Sequence, residues 1–482
     1  MSFRQVFRLL GVLIGVQGAL MLVPAVWSAW AGERDSAWAL GAAAAITMTV
    51  GGVGVYAGRR TRGRDLHRRE ALLTVALGWI GASAAGALPY LLDGAFTSFV
   101  DAFFETASGL TTTGSTVMTS IEDKGRGVLL WRSLTQWTGG MGIVVLFIAI
   151  FPELGVGGKH LFRSEVPGPI TEGLRPKIRE TSSALWRIYL TLTAACAGLL
   201  LLAGLDGYDA VNHALTTMAT GGFSTRDASI AAYDSPLVDG VTTVFMVFAG
   251  INFSLYYATI RGGGRQALGD RELRAYLVLL LVATLLVTLD ILPRHQELDR
   301  AFRFAVFQVA SVMTTTGFAT DDFDVYPSFS RLLLVALMFV GGCAGSTAGG
   351  MKVYRFIVLA KASVAEIQKV FRPQAVLPVR VGGFVVPEDT VRAVLGFFVL
   401  NLAIFLAASL YMAWLGLDVV SATTSVAATL YNIGPGLAQV GAIQNFALVP
   451  DSGKVLLSAC MILGRLELMT LLVLMLPAFW RR

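Results

Sequence analysis

Residues that build metal sites and disulfide frameworks are scarce in this sequence, which has three cysteines and four histidines among 482 residues. Cys196, Cys343 and Cys460 lie far apart in apolar surroundings, which is typical of small core residues rather than of disulfides or zinc ligands. The sequence has no His-Glu-x-x-His pair. It therefore excludes a secreted disulfide scaffold and a zinc protease of that motif.

Charge is scarce as well, since charged residues make up 15% of the chain and hydrophobic residues 55%. This balance excludes a soluble globular protein of this length. Apolar runs approach or exceed the roughly 20 residues that a helix needs to cross a bilayer, as in residues 127–150, 275–289, 394–415 and 455–479. About ten spans fit, so we expect an all-α polytopic membrane protein embedded in the lipid bilayer.

The net charge of +6 is distributed as an orientation signal rather than as a nucleic-acid surface. Basic residues cluster at positions 59–69, 163–179, 261–274 and 352–392 and at the C-terminus, and they place these segments and both termini in the cytoplasm. Acidic residues occupy the opposite loops, where they would form a mouth that concentrates cations: Asp101, Glu105, Glu122, Asp123, Asp206, Asp209, Asp227, Asp234, Asp321, Asp322 and Asp324.

Four short stretches of similar sequence follow apolar, helix-like segments. They contain Thr112, Thr113 and Gly114; Thr220, Gly221 and Gly222; Thr315, Thr316 and Gly317; and the more divergent Asn432, Ile433 and Gly434. One such stretch alone is more typical of a turn that ends a helix. Four of them at comparable intervals indicate an internal repeat.

The repeat predicts two N-terminal spans followed by four units, each with a span, a pore half-helix, a filter loop and a second span. The expected divisions are residues 1–69 for the hairpin and 70–160, 161–265, 266–372 and 373–482 for repeats 1 to 4. Irregular backbone at membrane depth is tolerated only where protein or a water-filled cavity satisfies it. The four loops are therefore expected to share a pseudo-fourfold pore.

The composition of the loops suits a monovalent cation. Rings of backbone carbonyls replace the hydration shell of such an ion without a fixed charge that would hold it too tightly. Glycine admits the backbone conformations that aim carbonyls inward, and threonine hydroxyls add oxygens or anchor the loop. Each half-helix would also direct its negative C-terminal end towards the ion.

Together with these loops, three further motifs resemble the TrkH, KtrB and HKT superfamily of potassium transporters: residues 136–142, 165–169 and 341–352. The N-terminal hairpin resembles the TrkH branch. The resemblance implies a fourfold pseudo-symmetric pore with K⁺ as substrate, a homodimer in the bacterial inner membrane, and a separate cytosolic nucleotide-binding regulatory ring of the TrkA type. Gly114 stands where some sodium-selective members carry serine, so the resemblance implies potassium selectivity.

A glycine-rich segment interrupts the second span of repeat 3, and we expect an unwound loop there because each interior glycine costs roughly 1 kcal/mol relative to alanine. With the family resemblance, it is interpreted as a gate beneath the filter, formed by Gly341, Gly342, Gly345, Ser346, Thr347, Gly349 and Gly350. The alternative is close helix packing through small residues.

Two basic residues accompany this segment. Arg465 lies deep in the last apolar run, where a charge is costly, and the resemblance implies that it points into the pore beside the gate. A salt bridge to a carboxylate of a neighbouring span is the alternative. Lys352 either binds carbonyls that the broken helix leaves unpaired or flanks the span as a positive-inside residue.

Other functions fit the sequence less well. An intramembrane enzyme with a Ser224–His213 dyad is disfavoured because repeat 3 has Ala319 and no histidine in the matching loop. No Walker motif is present and Gly262 to Gly264 lack a strand-turn-helix context, so we expect no nucleotide to bind this chain. A sodium- or proton-coupled potassium symporter stays open beside the channel-like mechanism.

Overall fold

The computed structural model describes residues 2–61, 67–142, 178–264, 269–382, 384–466 and 468–481, and these are largely helical. The first part comprises α1 (Phe3–Ala31), α2 (Arg34–Ala57), α3 (Arg68–Gly86), α4 (Leu88–Leu92), α5 (Phe99–Leu110) and α6 (Arg126–Trp137). The middle comprises α7 (Ile178–Leu202), α8 (Gly207–Met218), α9 (Pro236–Ala249), α10 (Phe253–Ala258), α11 (Arg271–His295) and α12 (Leu298–Met313).

The last part comprises α13 (Ser328–Met338), α14 (Val353–Phe371), α15 (Glu388–Trp414), α16 (Val419–Leu430), α17 (Asp451–Arg465), α18 (Leu468–Met475) and α19 (Pro477–Trp480). A small antiparallel hairpin, β1 (Arg380–Val381) and β2 (Phe384–Val385), connects α14 to α15. π-helical turns follow α6 at Thr138–Gly142 and α10 at Thr259–Gly263.

The expected N-terminal hairpin consists of α1 and α2, which approach each other through glycine. A Cβ atom on Gly11, Gly51 or Gly54 would overlap the backbone of the opposite helix. Small residues at such contacts let two membrane helices pack at backbone distance. The hairpin is therefore a pair of closely apposed spans.

Six helices of the described residues are long and apolar enough to cross a membrane, and the bent pair α17 and α18 makes a seventh. The described residues thus contain fewer helices of spanning length than the ten or so spans expected for the whole chain, and shorter apolar helices account for part of the difference. In the run at 127–150 the α-helix ends at Trp137 and continues as the π-helical turn to Gly142, and residues 143–150 lie outside the described part. Likewise α9 and α13 end after 14 and 11 residues.

Four short helices, α5, α8, α12 and α16, are buried over most of their length. Three of them begin at a residue whose side chain accepts a hydrogen bond from the first turn, namely Ser98, Asp206 and Asp418. Each of the four then leads directly into one of the threonine- and glycine-rich stretches. The predicted repeat boundaries after residues 160 and 265 lie outside the described residues, as does the motif at 165–169.

Candidate functional site: a ring of four loops

Loops 1 to 4, which we define as residues 111–114, 219–222, 314–317 and 431–434, end the four short helices with the same hydrogen bonds. The N–H groups of Thr113, Gly221, Thr316 and Ile433 donate to the carbonyl oxygens of Ser108, Thr216, Ser311 and Ala428 over 2.8 to 2.9 Å. The preceding residue of each loop donates to the carbonyl three residues before it. This pair of bonds is the Schellman motif that satisfies the last carbonyls of a helix.

The residue that turns the chain in each loop is threonine or asparagine rather than glycine. Thr112, Thr220, Thr315 and Asn432 have φ between 54 and 57°. A left-handed backbone costs a residue with a Cβ roughly 1–2 kcal/mol. Because this strain recurs in four separate loops, it marks them as one repeated and specialised structure.

The glycines of the four loops form a closed ring with the carbonyls of their neighbours. Gly114, Gly222, Gly317 and Gly434 have φ between 73 and 110°. A Cβ atom would overlap or crowd the carbonyl oxygen of Gly221 at Gly114, of Thr316 at Gly222, of Ile433 at Gly317 and of Thr113 at Gly434. Loop 1 therefore contacts loop 2, loop 2 contacts loop 3, loop 3 contacts loop 4, and loop 4 contacts loop 1.

Most hydroxyl groups of the loops anchor the backbone. The Oγ1 atoms of Thr113 and Thr316 each lie 2.7 Å from the hydroxyl of the first loop threonine, Thr111 or Thr314. In loop 4, the Asn432 amide donates to Thr113 Oγ1 over 2.9 Å and to the carbonyl of Met461 over 3.0 Å. Asn432 thus joins loops 4 and 1 where the other loops carry threonine.

Oxygen atoms without a protein donor remain at the ring. Among the described residues, the carbonyl oxygens of Thr113, Thr316 and Ile433 accept no hydrogen bond. The buried hydroxyl of Thr112 and the Asn432 Oδ1 atom likewise have no partner there. Buried polar atoms are normally paired, so these oxygens are available to a ligand that supplies positive charge.

Gln136 braces loop 2 from behind. Its Nε2 atom donates to the carbonyl oxygen of Gly221 over 2.6 Å, and its Oε1 atom accepts from the N–H of Phe223 over 3.0 Å. The side chain is fully buried. In the sequence, Gln136 belongs to the motif at residues 136–142, and nothing near it indicates a contact with loop 2.

Replacing Gln136 with leucine leaves the N–H of Phe223 buried without its acceptor. We expect a loss of about 1–3 kcal/mol, the usual cost of one unsatisfied buried group, measured as a lower melting midpoint (Tm) in detergent. Gln444 is exposed and serves as the control, since its replacement by leucine changes the stability by less than about 0.5 kcal/mol. Equal melting of the two variants would refute the brace.

A buried ion pair between α5 and α6 contacts the segments that follow loops 1 and 2. Arg132 Nε lies 2.6 Å from Glu105 Oε1, with side-chain exposures of 3% and 0%. The guanidinium also donates to the Ser224 carbonyl over 2.8 Å and stacks 3.6 Å from the centre of the Phe223 ring. Glu105 in turn accepts from the Thr116 hydroxyl and the Val117 N–H. Arg132 interrupts an apolar run, which is the signal that could have revealed it.

Two of the acidic residues that we expected at a water-facing mouth, Glu105 and Asp209, are buried instead. Glu105 is buried in α5 and paired with Arg132, as described above. Asp209 is 3% exposed, and its carboxylate accepts from Thr225, Arg226 and Tyr233. Both lie within the short helices rather than in the connecting loops, so their charges are neutralised by protein and do not face water.

His213 occupies in repeat 2 the position that Glu105 occupies in repeat 1. Its Nδ1 atom lies 2.8 Å from the carbonyl of Asp209, so it donates there and leaves Nε2 to accept from the Ser224 hydroxyl, 2.9 Å away. Gln308, the counterpart in repeat 3, donates to the carbonyl of Asp321. The Ser224–His213 contact is therefore one version of a brace that secures the chain after loops 1, 2 and 3.

The glycine-rich segment is an unwound loop between α13 and α14. We call residues 341–352 the glycine loop. Its two ends are joined by hydrogen bonds from Gly341 N to Met351 O (2.9 Å) and from Val353 N to Gly342 O (3.2 Å). Gly345 and Gly350 have positive φ values of 74 and 65°. Ser346 donates to the carbonyl of Cys343. The expected break in the helix is thus present.

Contacts of the glycine loop reach the second, third and fourth repeats. The N–H of Cys343 donates to the carbonyl of Gly250 over 2.9 Å, and the N–H of Gly349 donates to Thr315 Oγ1 over 2.6 Å. A Cβ atom on Gly349 would overlap the carbonyl of Tyr431 in loop 4. The glycine loop therefore lies against the ring, on the side where the short helices end.

Arg465 links the glycine loop to repeat 1. Its guanidinium donates to the carbonyls of Thr347 (2.9 Å), Gly139 (2.7 Å) and Gly140 (2.8 Å). Lys352 is 3% exposed, and its ammonium donates to the carbonyls of Ala348 and Gly349. This arrangement agrees with the first interpretation of Lys352, in which its side chain binds carbonyls of the interrupted helix.

Comparison with known proteins agrees with this architecture. The family model TrkH, described as a cation transport protein, matches residues 42–482. The Trk system potassium uptake protein TrkH of Vibrio parahaemolyticus is 40% identical over 488 residues, with 100% of both chains covered. TrkG of Escherichia coli is 34% identical over 482 residues, with 99% of both chains covered. The crystal structure of the potassium transporter TrkH from Vibrio parahaemolyticus aligns with a TM-score of 0.89 at 38% identity, covering 100% of both chains.

Proposed function

Because this chain belongs to the TrkH family of cation transport proteins, we propose that it takes up potassium ions through the ring of loops 1 to 4. The observation that carries the proposal is the closed ring, in which each loop glycine faces the carbonyl of the next loop. Such a ring is the arrangement that can replace the water shell of a monovalent cation. The coordinating residues would be those of the four predicted stretches.

The electrostatics of the ring favour a cation. All four short helices end at the loops, and the C-terminal end of a helix carries roughly half a negative charge. The available carbonyl oxygens and the hydroxyl of Thr112 add further negative potential without a carboxylate on the loops themselves. A partial charge binds the ion and still releases it, as conduction requires.

The glycine loop serves as the gate of this pathway. It lies beneath loops 3 and 4, contains no bulky side chain from Gly345 to Gly350, and is connected to repeat 1 through Arg465. The guanidinium adds an electrostatic barrier to a passing cation. Movement of the glycine loop would displace the Thr347 carbonyl to which Arg465 donates. The physical obstruction by the loop and the electrostatic barrier of the guanidinium would therefore change together.

We also propose how the protein is placed and assembled. The basic segments and both termini lie in the cytoplasm, with the chain in the inner membrane of a bacterium. Two copies form a homodimer, and a cytosolic nucleotide-binding ring of the TrkA type regulates the pair. The division into a hairpin and four repeats at residues 69, 160, 265 and 372 belongs to the same proposal.

Uptake of rubidium-86 into potassium-loaded liposomes that contain the purified protein tests the proposed pathway. We expect external K⁺ to compete far better than Na⁺. The variant Gly317→Asp should lose uptake, because its side chain would overlap the carbonyl of Ile433 and place a charge on the ring. Gly416→Asp is the matched control, since Gly416 also has a positive φ (98°) but no atom lies near its Cβ position.

Each result of this experiment has a distinct meaning. Equal competition by Na⁺ would contradict potassium selectivity. Equal loss in both variants would show that left-handed strain, and not the ring, abolishes uptake. Uptake that requires an imposed sodium or proton gradient would favour the coupled symporter over the channel-like mechanism.

A further inference from the structure

Glu272 is a buried carboxylate that contacts the glycine loop from another span. It lies in the first turn of α11 and is 9% exposed. Its Oε1 atom accepts two backbone hydrogen bonds, from Ala344 N over 2.8 Å and from Tyr354 N over 2.9 Å. In the sequence, Glu272 stands between two arginines in a basic segment, where nothing distinguishes it from an exposed charge.

The two donors belong to different parts of the interrupted helix. Ala344 lies inside the glycine loop, whereas Tyr354 is the second residue of α14. The first N–H groups of a helix have no partner within it, and an acidic side chain at that end is favoured by the helix dipole. Glu272 therefore caps α14 and holds the glycine loop with the same oxygen atom.

This contact differs in kind from the backbone and hydroxyl bonds of the glycine loop, and it shares its charged character only with the bond that Arg465 donates to the Thr347 carbonyl. The bonds to Gly250 and Thr315 are made between neutral groups. When Glu272 is ionised, its hydrogen bonds are about twice as strong as these neutral ones. Moving Ala344 away would also leave a buried carboxylate with fewer donors, which is costly in a low-dielectric site. The bonds of Glu272 therefore stabilise the glycine loop in its position beneath the ring.

We propose that Glu272 is a positioning residue that holds the glycine loop in its obstructing position. The proposal rests on the proposed function, in which that loop is the gate. Its consequence is a gain of transport: loss of the carboxylate releases the loop and raises potassium flux, whereas damage to the ring lowers it. Glu272 itself contacts the glycine loop and α14 rather than the ring, so we expect the preference for K⁺ over Na⁺ to change less than the flux.

Rubidium-86 uptake into liposomes tests this with the variants Glu272→Leu and Glu272→Gln. We expect Glu272→Leu to raise uptake about tenfold, as the loss of one charge-assisted hydrogen bond would. Glu272→Gln should give a smaller increase, because the amide oxygen still accepts both N–H groups. Glu388→Leu is the matched control: Glu388 also lies in the first turn of a long span, α15, but is exposed and paired with Arg392. Uptake of Glu272→Leu at or below the wild-type rate would contradict the expected gain of transport, and the labelling of Cys343 then separates a failure of the Glu272 contact from a failure of the gate.

Reactivity of Cys343 measures the position of the loop independently of transport. Cys343 precedes Ala344 and is 1% exposed. In a Cys196→Ala, Cys460→Ala background, labelling with N-ethylmaleimide should be faster in Glu272→Leu than in the parent. Unchanged labelling would overturn the role of Glu272. Faster labelling without higher uptake would instead refute the gate, whereas loss of uptake in Gly317→Asp bears only on the ring.

Discussion

Replacing Gly114 with serine is expected to lower the preference of uptake for K⁺ over Na⁺ by about tenfold, the factor that corresponds to roughly 1.4 kcal/mol. Gly114 has a φ of 85°, and its Cα lies against the carbonyl oxygen of Gly221. The serine Cβ would overlap that oxygen. One of the four contacts of the ring must therefore open, and the carbonyl of Gly221 moves relative to the other three.

The measurement is the concentration of each ion that halves rubidium-86 uptake. Gly204→Ser is the control, because Gly204 has a φ of 103° with no atom near its Cβ position. It should keep the wild-type ratio of the two concentrations. An unchanged ratio in Gly114→Ser, with uptake intact, would mean that the contact between loops 1 and 2 does not set selectivity.

The largest expected effect on stability is that of Arg132→Leu. Removing one partner of a buried ion pair leaves an uncompensated charge and costs about 3–5 kcal/mol. Here the substitution also removes the donor to the Ser224 carbonyl and the cation that stacks on Phe223. We expect a clear fall of Tm in detergent together with loss of uptake, because loops 1 and 2 lose their common support.

Two further variants separate the ion pair from a general effect of losing an arginine. Arg392→Leu removes one partner of an exposed pair, with side-chain exposures of 71% and 79%, and should leave Tm unchanged. The double variant Glu105→Leu, Arg132→Leu should melt above the single variant, because no buried charge remains unpaired. Melting of the double variant at or below the single one would contradict this account.

The predicted class of fold is confirmed, and the reason lies in the bilayer. A span must be long, apolar and helical because its backbone finds no hydrogen-bond partner in lipid. Apolar runs such as Phe3–Ala31 and Glu388–Trp414 can therefore be recognised as spans from the sequence alone. Irregular stretches within the runs could not be recognised in this way, since hydropathy at residues 127–150 does not show that the α-helix changes to a π-helical turn after Trp137.

Parts of the site could likewise be predicted. The repeated threonine and glycine pattern located all four loops, and five glycines in ten residues predicted the break at Gly341 to Gly350. The supporting residues could not be found in this way. Gln136 and Arg132 bind carbonyls 85 and 92 residues away. Glu105 binds the chain beyond its own loop, and residues of all three types are equally common on exposed surfaces.

The sequence by itself determined that this protein lies in a membrane, that it repeats one helix and loop unit four times, and which residues form those loops. These properties depend on local composition and on similarity between segments of one chain. Only the tertiary structure decided that loop 4 meets loop 1, that Glu105 pairs with Arg132 rather than facing water, and that Glu272 holds Ala344. Such contacts join residues far apart in the chain, and the burial that gives a charge its partner exists only after the spans have packed.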